Sequence, residues 1–296
     1  MNFNDLATFN AVAQTASFSS AAEMLHITQP AVSKRIQALE QRFGVRLFDR
    51  VGKQVHLTQA GAALLPQAQL MLATLADTEK QLLNLAQNVA GRLTLATSHH
   101  IGLHRLAPVL KRFVTLYPQV QINISFEDSE VAHERVRQGR SELAVVTLNP
   151  EGERQLDSQV IWQDPLVFVA APDSPRKVSL AWLAQQPCVL PGAGTYTGRI
   201  VLQRFAEQGL VLTPAMSTNY LETIGMLVSV GLGWSVLPRS MVGGLSVLSA
   251  DCAPMMRTLG HVINPTRTLS NAAAAFVDVL KSFADTDHAG VAKAPV

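Results

Sequence analysis

The sequence predicts an α/β protein with three parts: an N-terminal winged helix-turn-helix over residues 1–58, a long linker helix over 59–90, and a two-lobed α/β domain over 91–296. Short helical patterns followed by a basic hairpin indicate the first part, and a stretch dominated by Ala, Leu and Gln indicates the second. Strand-like runs that alternate with helical patterns indicate the third.

Composition limits the function classes. The chain has 296 residues, 48% of them hydrophobic and 16% charged, which excludes wholesale disorder. Its net charge of +2 (24 − 22) means that any nucleic-acid surface must be local. Cys188 and Cys252 match no metal or redox spacing, which fits a reducing cytosol. No secretion signal is recognisable, and the most apolar stretch, 224–238, is shorter than the roughly 20 residues of a membrane helix. These features predict a cytoplasmic protein without membrane contact.

The first two predicted helices are short. Asp5 is a plausible N-cap for the first, and Ser19 or Ser20 for the second, which runs to Leu25. Apolar residues of the first helix recur at helical spacing: Leu6, Phe9, Val12 and Ala13.

The third predicted helix has the clearest boundaries. Thr28 caps it, Pro30 lies in its first turn where a missing N–H costs little, and Gly44 ends it. After it, residues 45–48 and 54–57 flank a turn with Gly52 at its tip, which predicts a hairpin. Two short helices, a tight turn, a third helix and a hairpin together predict a winged helix-turn-helix.

The exposed face of the third helix suits DNA. It carries Gln29, Ser33, Lys34 and Gln37, and residues 28–58 contain six basic side chains against two acidic ones. Lysine and arginine bind phosphates, while glutamine, serine and arginine reach base edges in the major groove. Basic clusters are often only solvated faces, but the ordered cap, proline and hairpin favour DNA binding.

From Thr58 to about Asn88 strong helix formers predict one long helix with a broad apolar face. Pro66 should bend this helix or force local 3₁₀ geometry. A helix of this length is longer than a small domain needs. We therefore expect its apolar face to pair with the same helix of a second chain. The alternative is that this face packs against the hairpin domain of its own chain.

The remaining residues predict two α/β lobes. Strands over 92–97, 120–126 and 142–148 alternate with helices, which indicates a parallel sheet. The pattern restarts after about Ile161. Lobe I is therefore expected over about 91–161 plus 266–285, and lobe II over about 162–265, with a cleft between them.

Taken together, these features resemble the LysR-type transcriptional regulators along nearly the whole chain. The most specific match covers residues 18–57, and the following TQAGAALLPQA is similar to that family's linker helix. The resemblance implies a homodimer or homotetramer that bends double-stranded promoter DNA, with RNA polymerase as a candidate partner. It also implies a sensor domain like periplasmic binding proteins, with a small effector in the cleft.

The resemblance also implies which residues contact DNA. Gln29, Pro30, Ser33 and Arg35 match the recognition helix, and Arg50 and Lys53 match the basic wing. The complete set of predicted DNA-binding residues is Ser19, Thr28, Gln29, Pro30, Ser33, Lys34, Arg35, Gln37, Arg50 and Lys53.

Effector contacts are predicted where strands end or helices begin. Hydroxyls and helix N-terminal N–H groups at such positions suit a carboxylate or another anion. Ser98 and Thr197 are equally explained as simple N-caps. The predicted effector-binding residues are Ser98, His99, His100, Thr147, Thr195, Tyr196, Thr197, Thr218 and Asn219.

Other chemistry is disfavoured. The glycines over 192–198 lack the spacing and position of a dinucleotide fingerprint, so no cofactor is predicted. His100 and His104 could share a metal, but no third ligand lies close in sequence, and ordinary polar histidines are favoured. No nucleophile and base are recognisable, so an enzyme is not expected. His99 and His100 could instead make effector binding pH-dependent.

Two alternatives to a ligand-responsive regulator remain. A solute-binding protein or enzyme could use the two-lobed domain, but neither explains residues 1–90. A nucleoid-type DNA binder without effector would differ in the depth and specificity of its cleft.

Overall fold

A computed structural model describes residues 2–51, 54–85 and 88–285. The chain divides into two compact units, residues 1–85 and 86–296. No helix among the described residues is long and apolar enough to cross a membrane.

Four helices and a hairpin make the first unit. The helix caps differ from the predicted ones at two places. Asn2 caps the first helix and accepts from the backbone N–H of Asp5, whose carboxylate accepts from Asn2 in return. Ser17, rather than Ser19 or Ser20, caps the second helix. In order, the elements are α1 (Phe3–Thr15), α2 (Phe18–Met24), α3 (Gln29–Phe43), β1 (Phe48–Val51), β2 (Gln54–Leu57) and α4 (Gln59–Asn84).

The third helix begins and ends as predicted. Thr28 Oγ1 accepts from the backbone N–H of Ala31, and Pro30 lies in the first turn. Gly44 follows the helix with φ +67°, a backbone region that glycine occupies without strain.

The hairpin begins at Phe48, not at Val45 as predicted. Glu40 of α3 explains the difference, because its Oε1 accepts from the backbone N–H of Leu47 at 2.8 Å and from that of Phe48 at 3.4 Å. The backbone before Phe48 therefore bonds to a helix side chain instead of a strand. The predicted tip at Gly52 lies outside the described residues, as does Lys53 beside it.

The linker helix α4 ends at Asn84, before the predicted Asn88. Pro66 lies inside it, and the helix stays α-helical through this point, without the 3₁₀ geometry given as one alternative. Its first turn packs on the residue just before β1: a Cβ on Gly61 would lie 2.1 Å from the Leu47 carbonyl oxygen. Only glycine permits so close an approach.

The second unit contains the remaining helices and strands. Its elements are β3 (Gly91–Thr97), α5 (His99–Ile101), a π-helical segment (Gly102–Leu106), α6 (Ala107–Leu116), β4 (Val120–Phe126), α7 (Ser129–Arg137), β5 (Leu143–Thr147), β6 (Asp157–Ala170), β7 (Lys177–Val178), α8 (Leu180–Gln185), β8 (Val189–Leu190), α9 (Tyr196–Ala206), β9 (Met216–Ser217), α10 (Leu221–Ser229), β10 (Ser235–Pro238), a 3₁₀ turn (Arg239–Met241), β11 (Ser246–Ala250), β12 (Met255–Ile263) and α11 (Asn271–Lys281).

One mixed sheet runs through the second unit, in the order β4-β3-β5-β12-β6-β11-β7 with β10 also paired to β6. The predicted parallel pairing of the first three strands is confirmed, with β3 between β4 and β5. The long strands β6 and β12 are antiparallel partners along their length. They carry the chain from one lobe to the other and back.

Separate cores define the two lobes. Trp162 and Leu259 pack in the lobe I core with β3, β5, α6 and α11, whereas Leu166 and Met255 pack in the lobe II core with α8 and α9. Lobe II therefore begins a few residues after the predicted position 162. The return to lobe I comes within β12, earlier than the predicted 266.

Candidate functional site

The predicted DNA-reading face of α3 is accessible. Gln29, Lys34 and Gln37 are exposed, and Ser33 is half-buried. Gln29 Nε2 lies 3.4 Å from Ser33 Oγ, so these two polar side chains are adjacent one helical turn apart. The opposite face is anchored in the core by apolar residues: Val32, Ile36 and Leu39.

Not every predicted DNA contact lies on that face. Arg35 is half-buried and donates from Nη1 to Thr8 Oγ1 at 3.2 Å, which ties α3 to α1. Ser19 is exposed on α2, outside the recognition helix. Arg50 lies in β1, and Lys53 lies outside the described residues.

A cavity of about 280 Å³ lies between the two lobes of the second unit. It is lined by helix beginnings and strand ends from both lobes: Ser98, His99, His100, Phe126, Glu127, Asp128, Ser129, Glu130, Val131, Thr147, Pro191, Thr195, Tyr196, Thr197, Asn219, Tyr220, Leu221 and Arg257.

The structure brings eight of the nine predicted effector residues to this cavity; the exception is Thr218. Thr218 Oγ1 instead accepts from the backbone N–H of Tyr220 at 3.4 Å. The simple N-cap explanation does not hold for Ser98, which precedes α5 but makes no capping hydrogen bond with its side chain. Nor does it hold for Thr197, because Thr195 is the residue that caps α9.

The glycines over 192–198 have a steric role. A Cβ on Gly198 would lie 2.2 Å from the carbonyl oxygen of Gly192. The loop can therefore fold tightly onto the start of α9 only if this position is glycine, and it brings Thr195 and Tyr196 to the cavity wall.

Several cavity residues were not predicted from the sequence, because their hydrogen-bond partners lie in the other lobe. Asp128 Oδ2 accepts from Asn219 Nδ2 at 2.6 Å, and Glu130 Oε1 accepts from the backbone N–H of Tyr196. Both carboxylates belong to lobe I and both donors to lobe II, so they join the lobes across the cavity.

Arg257 was also missed, since a lone arginine in an apolar strand gives no motif. It is 4% exposed on β12, and its Nε and Nη2 both lie 2.7 Å from Oδ2 of Asp164, its cross-strand partner on β6. Nη1 donates to Thr197 Oγ1 at 3.3 Å. Burial lowers the pKa of the guanidinium, and the Asp164 charge opposes that shift.

Three helix beginnings at the cavity lack a side-chain cap. At α5, α7 and α10 the N-cap residues Ser98, Asp128 and Tyr220 make no capping hydrogen bond. In contrast, α8, α9 and α11 are capped by Ser179, Thr195 and Ser270. Uncapped first-turn N–H groups carry partial positive charge and favour an acceptor.

Burial changes the expected behaviour of His100. This side chain is 5% exposed, and desolvation, with the Arg257 charge, lowers its pKa to about 3. His100 is therefore neutral across physiological pH, and it does not supply the predicted pH dependence. Burial and the neighbouring Glu153 raise the pKa of Tyr196 to about 12, so its hydroxyl keeps its proton.

Comparison with known proteins covers both units. A model described as "Bacterial regulatory helix-turn-helix protein, lysR family" matches residues 3–62, and one described as "LysR substrate binding domain" matches residues 86–285. The regulator CbbR of Rhodospirillum rubrum is 32% identical over 94% of this chain and 95% of its own.

Two further similarities differ in extent. An uncharacterised regulator from the ibpB-leuC intergenic region of Azotobacter vinelandii is 64% identical over 36% of this chain and 75% of its own. The crystal structure of full-length CbnR with its target DNA shares the fold, with a TM-score of 0.66 at 21% identity over 96% of this chain and all of that one.

Proposed function

The chain belongs to the LysR family of transcriptional regulators, with a DNA-binding helix-turn-helix and an effector-binding domain, and we propose that a small anionic metabolite in the inter-lobe cavity controls its promoter binding or DNA bending. Its relatives are named as transcriptional regulators, not as enzymes or solute-binding proteins. The cavity favours an effector-responsive regulator over a nucleoid-type DNA binder.

The three uncapped helix beginnings at the cavity carry the proposal of an anion. The carboxylates of Asp128 and Glu130 already accept from lobe II donors. The donors that these helix beginnings offer a ligand are first-turn N–H groups of α5, α7 and α10 and the Ser98 hydroxyl, apart from the Glu222 N–H, which bonds its own carboxylate. A carboxylate or similar group would accept from them and gain from the aligned peptide dipoles. A cavity of about 280 Å³ suits a metabolite of a few carbon atoms.

A thermal melt tests the anion. We expect a matching carboxylic acid to raise the melting temperature of the full chain, whereas its uncharged amide has little effect. Ser98→Ala should reduce the shift, and Ser246→Ala on β11, away from the cavity, should leave it unchanged. Equal stabilisation by acid and amide would rule out an anionic effector, and an unchanged shift in Ser98→Ala would remove that hydroxyl from the site.

Exposed Gln29 and Lys34, with half-buried Ser33, support base reading by α3. On DNA from upstream of its own gene, Gln29→Ala should weaken binding by about 1–3 kcal/mol, while binding to scrambled DNA changes little. Gln41→Ala, at an exposed glutamine near the other end of α3, is the matched control. Equal loss on both DNAs in a gel shift would contradict base reading by Gln29.

The wing is proposed to bind phosphates. Arg50→Ala should weaken binding to the upstream and the scrambled DNA equally. It should also make the slope of log K against log salt concentration shallower by about one, because one phosphate contact is lost. Loss confined to the upstream DNA would instead assign Arg50 a role in base recognition.

The linker helix is proposed to pair with that of a second copy. Leu70, Leu82 and Leu83 are 61–72% exposed on α4, and Leu70 with Met71 borders an apolar groove that Phe3 of α1 completes. Charge in this apolar surface should prevent pairing. Leu70→Glu should therefore sediment as a smaller species than Gln67→Glu, which places the same charge at an exposed polar position of the helix. Identical sedimentation of the two variants would argue against this interface.

A further inference from the structure

Three potential metal ligands from two lobes meet beside the effector cavity. His100 lies in the short helix α5, and His104 lies one turn later in the π-helical segment. Glu222 lies in the first turn of α10 in lobe II. One ligand atom from each residue lies within 4.8 Å of the other two. The cluster therefore exists only when both lobes are in place.

The distances are close to those of a coordination shell. His104 Nε2 lies 3.0 Å from Glu222 Oε1, and His100 Nδ1 lies 3.8 Å from the same oxygen. A tetrahedral ion with bonds of about 2.0–2.2 Å holds its ligand atoms roughly 3.3 Å apart. The widest separation, which is at most 4.8 Å, would have to shorten by about 1.5 Å to reach that value.

The state of His100 gives a second, independent observation. Its side chain is 5% exposed and lies against the His104 ring, with a centroid separation of 4.8 Å. Neither ring nitrogen has a hydrogen-bond partner among the described residues, and Glu222 Oε2 has none either. Buried polar atoms without partners cost free energy, which a metal bond would recover.

We propose that His100, His104 and Glu222 bind one divalent transition cation of the Zn²⁺ class and thereby join lobe I to lobe II. Two imidazoles and one carboxylate are the ligand set of many zinc sites with an open fourth position. His99 Nδ1 lies 3.7 Å from Glu222 Oε2 and is the nearest candidate for that position; a water or a cavity ligand is the alternative.

Surrounding charges permit such an ion. Arg257 and Arg105 are the nearby cations, and both interact with Asp164, at 2.7 and 3.5 Å. The single Asp164 carboxylate offsets part of their combined positive charge, and the Glu222 carboxylate also acts on Arg257. The hydrogen bond between His104 and Glu222 would hold the lobes without metal, so the test must separate the two roles.

Zn²⁺ titration of the untagged, chelator-treated full chain provides that test. We expect one Zn²⁺ per chain by calorimetry, with His104→Gln and Glu222→Gln each weakening the dissociation constant at least tenfold. Both variants keep groups that can hydrogen-bond, so a merely structural contact would survive in them. His26→Asn is the control, because His26 is exposed in the helix-turn-helix and its positive φ of 52° is one that asparagine tolerates.

A second readout is Co²⁺, whose visible absorption should be that of a tetrahedral site and should be absent from Glu222→Gln. Absence of saturable Zn²⁺ binding, or equal affinity in wild type and both glutamine variants, overturns the site. Loss of binding in His26→Asn would also overturn it by placing the metal elsewhere. If Zn²⁺ fails to bind while the acid-induced melting shift and upstream-DNA binding persist, the metal site alone is wrong and the proposed function stands.

Discussion

Asp164 is predicted to be indispensable for the stability of the effector-binding unit. Its carboxylate is 1% exposed and is the ion-pair partner of Arg257, which is 4% exposed. Asp164→Asn keeps the shape of the side chain but removes the charge, so the guanidinium is left buried without a counter-ion. Removing one partner of a buried ion pair typically costs about 3–5 kcal/mol, and we expect this range here.

Urea denaturation followed by tryptophan fluorescence measures this loss. All three tryptophans of the chain, Trp162, Trp182 and Trp234, lie in the second unit, so their emission reports that unit alone. Asp157→Asn is the matched control, because Asp157 begins the same strand β6 and is exposed.

A double variant sharpens the prediction. Replacing both partners, as Asp164→Leu with Arg257→Met, removes the uncompensated charge and should restore much of the stability lost in Asp164→Leu. A loss below about 1 kcal/mol in Asp164→Asn, or a double variant no more stable than the single one, would refute the conclusion that a buried uncompensated charge dominates this site.

Two further perturbations test packing and protonation. Gly61→Ala places a Cβ 2.1 Å from the Leu47 carbonyl, so it should destabilise the first unit by about 1–3 kcal/mol, although alanine normally favours helices; a raised melting temperature by circular dichroism would contradict this. Burial lowers the pKa of His261, which is 4% exposed, to about 4, whereas the unfolded chain has the ordinary value of 6.5. The contribution of the neutral imidazole to the free energy of unfolding is therefore complete above pH 6.5 and is lost as the pH falls towards 4. That loss is about 3 kcal/mol, and His261→Gln should flatten the slope of unfolding free energy between pH 4 and 6.5 by up to about 1.4 kcal/mol per pH unit; an unchanged slope would show that His261 titrates alike in both states.

Local signals explain why the N-terminal elements were predictable. The cap at Thr28, Pro30 in the first turn and the positive φ at Gly44 act within a few residues, and the structure has each in its expected role. The caps at Asn2 and Ser17 were missed because several polar residues near each helix start can cap, and only the observed backbone path selects one. The beginning of β1 at Phe48 was missed because Glu40, from α3, bonds the backbone before it.

Strand ends and helix beginnings explain how much of the cavity was predictable. In a parallel α/β arrangement these positions meet at one edge of the sheet, so Ser98, Thr147 and Thr195 could be assigned to a common cleft without knowledge of distances. Thr218 also lies at the end of a strand, but its hydroxyl oxygen accepts a local hydrogen bond from the backbone N–H of Tyr220 and does not line the cavity. Periodicity cannot distinguish these two outcomes.

The sequence alone determined the order of the parts, the helix that presents Gln29 and Lys34, and the lobe edges that form a cleft, because caps, periodicity and turn residues act locally. The tertiary structure decided the electrostatics of that cleft. Asp164 and Arg257 are 93 positions apart, and Glu222 is 118 positions from His104. Only the pairing of β6 with β12 and the approach of α10 to the helix after β3 bring such groups within bonding distance.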